Sequence, residues 1–207
     1  LADRDADADI ASSVLGMGRS SRLFKKLVYD QQIAQSVSAS QQSLTLGSVF
    51  MIEATARPGH TVDELERSID EELQKLRDSG PDRSEVDRAR NVIETRIVQG
   101  LETLGGFGGV ADRLNSYNHY LGNPGYLPDD IQRYRAVTSD TVKAFVQQQL
   151  NPTARVVVHA VPGEKDLGAP VATPKPVQTA AGAGAESINA DEPWRNEMPK
   201  PGQAKAL

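Results

Sequence analysis

The residues of this sequence best suited to hold a metal or move a proton are its three histidines, His60, His119 and His159. None opens a His-x-x-Glu-His or His-Glu-x-x-His pattern, which would set two imidazoles on one helix face with a carboxylate base between them. His60 follows Pro58-Gly59 and is expected in a solvated turn. His159 alternates with apolar neighbours and is expected as a packed or edge residue of a strand. On this reading the chain offers no catalytic residue and no metal ligand set, so the purified chain is expected to hold no stoichiometric zinc. Cysteine is absent, which removes thiolate chemistry and any disulfide framework. No Gly-x-Ser-x-Gly singles out a serine nucleophile.

Two other features invite a chemical reading. The cluster Gly105-Gly106-Phe107-Gly108-Gly109 lacks the Gly-Lys-Ser/Thr that a phosphate cradle needs, and no Val/Ile-rich strand precedes it. A hinge or a close backbone approach is expected there. The charge-dense stretches Asp63–Asp78 and Asp82–Glu94 read as solvated helix faces with i,i+4 pairs. The formal net charge is −5 with dispersed acidic residues, which argues against a nucleic-acid partner, since phosphate binding needs a clustered basic face. No run approaches the ~20 apolar residues of a membrane span, and no signal-peptide pattern opens the chain. Leu1–Asp9 reads as the interior of a longer protein.

The elements that would position these residues are legible in the spacing. Ile10, Val14 and Leu15 mark a first helix that Gly16-Met17-Gly18 breaks. A second helix is expected from Ser20 or Ser21, a hydroxyl capping its free N–H groups, with Leu23, Phe24, Leu27 and Val28 on one face. Ala34–Gln41 and Leu44–Ala56 alternate as β segments, with one face buried and the other partly wet. Thr61 with Glu64 forms a capping box before a helix striped by Val62, Leu65, Ile69, Leu73 and Leu76. A long helix is expected from about Ser84 to Leu104, and the helical pattern resumes through Leu114, Tyr117 and Leu121. Two shorter helices follow, around Ile131–Val137 and Val142–Leu150. Arg155 to Val161 is continuously apolar and is expected as a last strand buried on both faces. The predicted class is α+β. Beyond Gly163 the composition turns to Ala, Gly, Pro, Lys and Gln; seven of the twelve prolines lie from Pro162 to Pro201. A folded domain over 1–163 and an Ala/Gly/Pro-rich, mobile linker over 164–207 are therefore expected.

The run Leu15-Gly16-Met17-Gly18-Arg19-Ser20-Ser21-Arg22-Leu23-Phe24-Lys25-Lys26-Leu27, followed by Ala34-Gln35-Ser36-Val37, resembles the second domain of pitrilysin-type (inverzincin, M16) zinc metallopeptidases. Gly59, the Thr61–Leu76 helix, Gly80-Pro81, Glu85, Val137-Thr138 and Arg155–Val158 with Pro162-Gly163 follow in the expected order. The resemblance implies an antiparallel-rich mixed sheet with helices packed on one face, as in pitrilysin and the mitochondrial processing peptidase. It implies zinc in the catalytic domain of the same polypeptide, peptide substrate in the parent, and a periplasmic address. The family's substrate-holding Arg and Tyr, seven residues apart, correspond here to Val28 and Gln35. Valine donates no hydrogen bond and glutamine lacks the phenol's acidity. Tail residues Asn189–Arg195 resemble the segment leading into the second half of large bacterial members. The function implied is a non-catalytic domain that supports the catalytic one and walls the substrate chamber. It would not cleave peptides alone. A further family strand has its place before Leu1, so an exposed sheet edge inviting pairing between copies or with the linker is also expected. A structural scaffold or core subunit of the same fold is the alternative, and an unrelated α+β binding module a third reading. Whether the gene upstream of Leu1 encodes His-x-x-Glu-His separates the first two.

Overall fold

The computed structural model of the chain describes residues 4–44 and 46–163. The chain divides into two units, Leu1–Ala160 and Val161–Leu207; the fold below is that of the first, and the linker expected over 164–207 lies outside the described residues.

Helix α1 (Asp5–Gly16) is the centre of the fold, with eleven of its 12 residues buried. It touches β1 (Ala34–Ser43), α3 (Arg83–Gly100), α5 (Leu127–Ala136) and α6 (Ser139–Gln149) at once. A helix surrounded this way needs small side chains where backbone meets backbone, and α1 supplies Ala6, Ala8, Ala11, Ser12 and Gly16. At Gly16 the approach is closest: a Cβ there would lie 2.0 Å from the backbone nitrogen of Ala39. The helix starts earlier than its apolar spacing indicates, because Asp5 and Asp7 occupy its first turn, where carboxylates favour the positive end of the helix dipole.

The expected second helix forms as a π-helical turn, Phe24–Asp30. Leu23 and Leu27 are wholly buried, with Phe24 and Val28 packed beside them. Ser21 differs from its expected capping role: its hydroxyl donates to the carbonyl of Gly18 at 2.7 Å, closing the glycine turn. The chain then makes a β-hairpin of β1 (Ala34–Ser43) and β2 (Ser48–Ala56). Val37 faces Ala54, Ala39 faces Ile52 and Gln41 faces Phe50, with a register shift between Ala34 and Ser36. Val37, Ala39, Phe50, Ile52, Ala54 and Ala56 join the core. Ser36, Ser38, Ser40 and Gln42 with Val49, Met51, Glu53 and Thr55 are exposed. The helices therefore pack on one face, as expected.

Helix α2 (Val62–Ser79) opens on the expected Thr61/Glu64 capping box and stops at Gly80, whose φ of +75° suits glycine. Helix α3 (Arg83–Gly100) begins with a second box, Asp82/Glu85. It ends before the expected Leu104 because the chain folds back on itself: Val110 N–H donates to Thr103 and Ala111 N–H to Leu104. Glycine permits the contact, since a Cβ on Gly109 would lie 2.6 Å from the Gly105 carbonyl oxygen. Helices α4 (Val110–Leu121), α5 (Leu127–Ala136) and α6 (Ser139–Gln149) complete the described unit.

The expected third strand is not found. Residues 155–160 form neither helix nor strand, the described sheet has two strands, and Val156, Val157 and Val158 are exposed. The apolar run met the composition of a buried strand, yet no described edge takes it up. It lies instead along α2, where Arg155 pairs with Glu66 and Asp70.

Candidate functional site

Three places in the described unit bear on chemistry, and each tests a different kind. The first is the pair of positions, Val28 and Gln35, that the family resemblance aligns with the substrate-holding Arg and Tyr. Val28 stands at the end of the π-helical turn and packs against the core, while Gln35 is exposed at the register shift in β1. An arginine does approach from the end of β2: Arg57 donates from Nε to the Ala34 carbonyl at 3.0 Å and from Nη2 to the Val28 carbonyl at 3.5 Å. Its guanidinium thus ties the hairpin to the turn through backbone carbonyls. Val28 packs on the core and Gln35 is exposed, and neither is a charged or phenolic group.

The second place is a cleft of about 400 Å³ lined by Asp9, Arg96, Arg113, Asp130 and Tyr134 among others. Tyr134 donates to Asp9 at 2.7 Å, tying α5 to α1. Burial, helped by nearby Asp5, pushes the Asp9 carboxyl from 3.8 up to about 6, although the Tyr134 hydrogen bond pulls the other way. Burial and the Asp9 carboxylate raise the Tyr134 phenol well above its ordinary range. Asp130 accepts from Tyr117 at 2.5 Å and from Arg133 Nη2 at 2.5 Å. Burial and that hydrogen bond push the Tyr117 phenol up to about 12. Both phenols therefore stay protonated donors. The network joins α1, α4 and α5 rather than offering an acid and a base to a reacting group. The sequence hid it, since Asp9 and Tyr134 are 125 residues apart.

The third place collects the histidine that spacing left alone. His159 Nε2 stands 3.0 Å from Glu66 Oε2, and its Nδ1 stands 3.8 Å from Asp63 Oδ1. One donor atom from each of Asp63, Glu66 and His159 lies within 4.8 Å of the other two. His159 is thus neither packed nor at a sheet edge. It is half-exposed over the first two turns of α2, which places Asp63 and Glu66 on one side by their i,i+3 spacing. His60 sits in the expected turn, 3.2 Å from Glu64, and His119 meets Tyr120 edge to face in α4. Among the described residues no helix is long and apolar enough to cross a membrane.

The peptidase M16 inactive domain matches residues 2–93. An uncharacterized zinc protease of Streptomyces coelicolor is 28% identical over 141 residues, covering 68% of this chain and 30% of the relative; the chain thus spans less than a third of that protein's length. Among solved structures, an inactive peptidase domain from Bordetella parapertussis superposes with a TM-score of 0.66 at 22% identity, covering 78% of this chain and 86% of that one. A protease from Helicobacter pylori gives 0.65 at 22% identity over 73% of this chain and 36% of its own. The peptidase M16 inactive domain from Pseudomonas fluorescens gives 0.60 at 18% identity, over 72% and 35%.

Proposed function

The chain carries the fold of the peptidase M16 inactive domain, as its sequence resemblance led one to expect, and on that premise we propose that it is a non-catalytic domain of a zinc metallopeptidase. In that role it supports the catalytic domain and forms part of the wall of the substrate chamber. The observation that carries the reading is the pair of positions where a substrate carbonyl would be held. A core-packed valine and an exposed glutamine stand there, and the adjacent Arg57 is bonded to backbone. Such a set offers one neutral amide donor, on Gln35, and no charged or phenolic group, whereas a developing oxyanion is best held by two or more donors aimed at one point. Zinc, the general base and peptide cleavage belong on this proposal to the catalytic domain of the same polypeptide. The serine-rich outer face of the hairpin and the Gly105–Gly109 turn are the surfaces offered to the chamber. A periplasmic address is part of the same proposal. The zinc-protease description of the Streptomyces coelicolor relative supports a peptidase parent over a scaffold subunit.

The test is made in the full-length parent. Gln35→Ala is expected to leave peptide turnover within a few-fold of the unaltered enzyme. A thousandfold fall with the fold intact would place Gln35 in the chemistry and overturn the assignment.

A further inference from the structure

We propose that Asp63, Glu66 and His159 form a surface site for a divalent transition-metal ion such as zinc, which clips the extended segment after α6 onto α2. The inference is independent of the peptidase reading. Its first support is the donor set: two carboxylates and one imidazole, one atom of each within 4.8 Å of the others, is a combination borderline-soft divalent ions accept. The 3.0 Å separation of His159 Nε2 and Glu66 Oε2 is close to the bite of two ligands bound to one ion at about 2.0–2.2 Å.

A second support is the way the neighbours aim Glu66. Arg155 Nη2 donates to Glu66 Oε1 at 2.7 Å, and its guanidinium also grips Asp70. That contact takes the outer oxygen of Glu66 and leaves Oε2 turned to the imidazole, as an outer-shell partner orients a metal-bound carboxylate. Charge gives a third. Arg155 is paired with Glu66 and Asp70, and Asp63 lies beside His159, so three carboxylates share the patch with one guanidinium. With a neutral imidazole the patch is doubly negative, so a dication balances it. The rival centre is a proton, which would make the cluster a plain ion pair of imidazolium with two carboxylates.

Equilibrium dialysis of the full chain against zinc near neutral pH, followed by elemental analysis, separates the two. The proposal expects one zinc per chain, lost in His159→Ala and in Glu66→Gln and kept in His60→Ala and His119→Ala. These side chains are at the surface, and circular dichroism of each variant establishes that the helices remain. Zinc is also expected to slow protease cleavage within residues 155–161 in the unaltered chain and not in His159→Ala. Failure of the unaltered chain to retain zinc would overturn the proposal and leave the ion pair. Retention in His159→Ala, or equal loss in His60→Ala, would overturn it as well.

Discussion

Asp9 is the residue at which burial and charge oppose each other most openly. Its carboxyl is taken from 3.8 to about 6 because α1 carries it inward, beside Asp5 and under Tyr134. A carboxyl whose pKa is higher in the folded state binds more protons there than in the unfolded chain over the interval between the two values. Stability contributed by Asp9 therefore falls as pH rises from about 4 to about 6, and above that the loss is constant, on the order of 1–3 kcal/mol. Asp9→Asn keeps an oxygen to accept the Tyr134 hydroxyl and carries no charge. It is expected to be more stable than the unaltered chain above pH 6 and equal to it below about pH 4. Urea midpoints measured across that range decide the matter; parallel curves for the two proteins would show that Asp9 is not held out of water. Arg22 shows the opposite case. Its guanidinium holds Glu85 at 2.8 and 2.6 Å and donates to the Gly80 carbonyl at 3.1 Å. One side chain thus joins the glycine-turn motif to the start of α3.

Among the elements, α1 depends on what it lacks. Every neighbouring layer presses against it, and at Gly16 the backbone of β1 occupies the space a methyl group would need. Gly16→Ala is expected to destabilise the unit by about 1–3 kcal/mol, the usual cost of overpacking, although alanine is the better helix former. A thermal or denaturant midpoint unchanged by the substitution would mean α1 and β1 can slide apart freely. The π-helical turn relies on the reverse, on bulk. Leu23 and Leu27 are fully buried, and each contributes roughly 1.5–3 kcal/mol through area removed from water. The hairpin is held through one face alone, so its serines on the other face cost nothing in the core.

At the scale of the whole molecule, the described unit has a core around α1, a polar network under α5 and an extended segment fastened to α2 by ion pairs. None of these brings a nucleophile, a base and an oxyanion donor to one point among the described residues. Hydrolysis of unstructured peptides by the chain alone is therefore expected to stay at background and to be indifferent to chelators. A chelator-sensitive rate in a preparation free of other proteases would contradict the non-catalytic reading.

Much of this was written in local pattern. The capping box at Thr61/Glu64, the stripe from Val62 to Leu76, the alternation over Ser48–Ala56 and the glycine breaks all resolve within a few residues, whereas Leu44 and Leu46, expected in the same strand, lie exposed before it. There, backbone hydrogen bonding and side-chain period decide the element. The run from Leu15 to Leu27 carried the family likeness for the same reason, since a motif is local order. Three things were decided by tertiary structure. Residues 155–161 have the composition of a buried strand, but a strand needs a partner edge, and whether one is free is a property of the sheet. The Asp9–Tyr134 contact joins the two ends of the unit, and chain distance hides it. His159 met Asp63 and Glu66 only because α6 returns the chain to α2. Histidine spacing alone could not disclose a group whose other members are carboxylates from a solvated helix face.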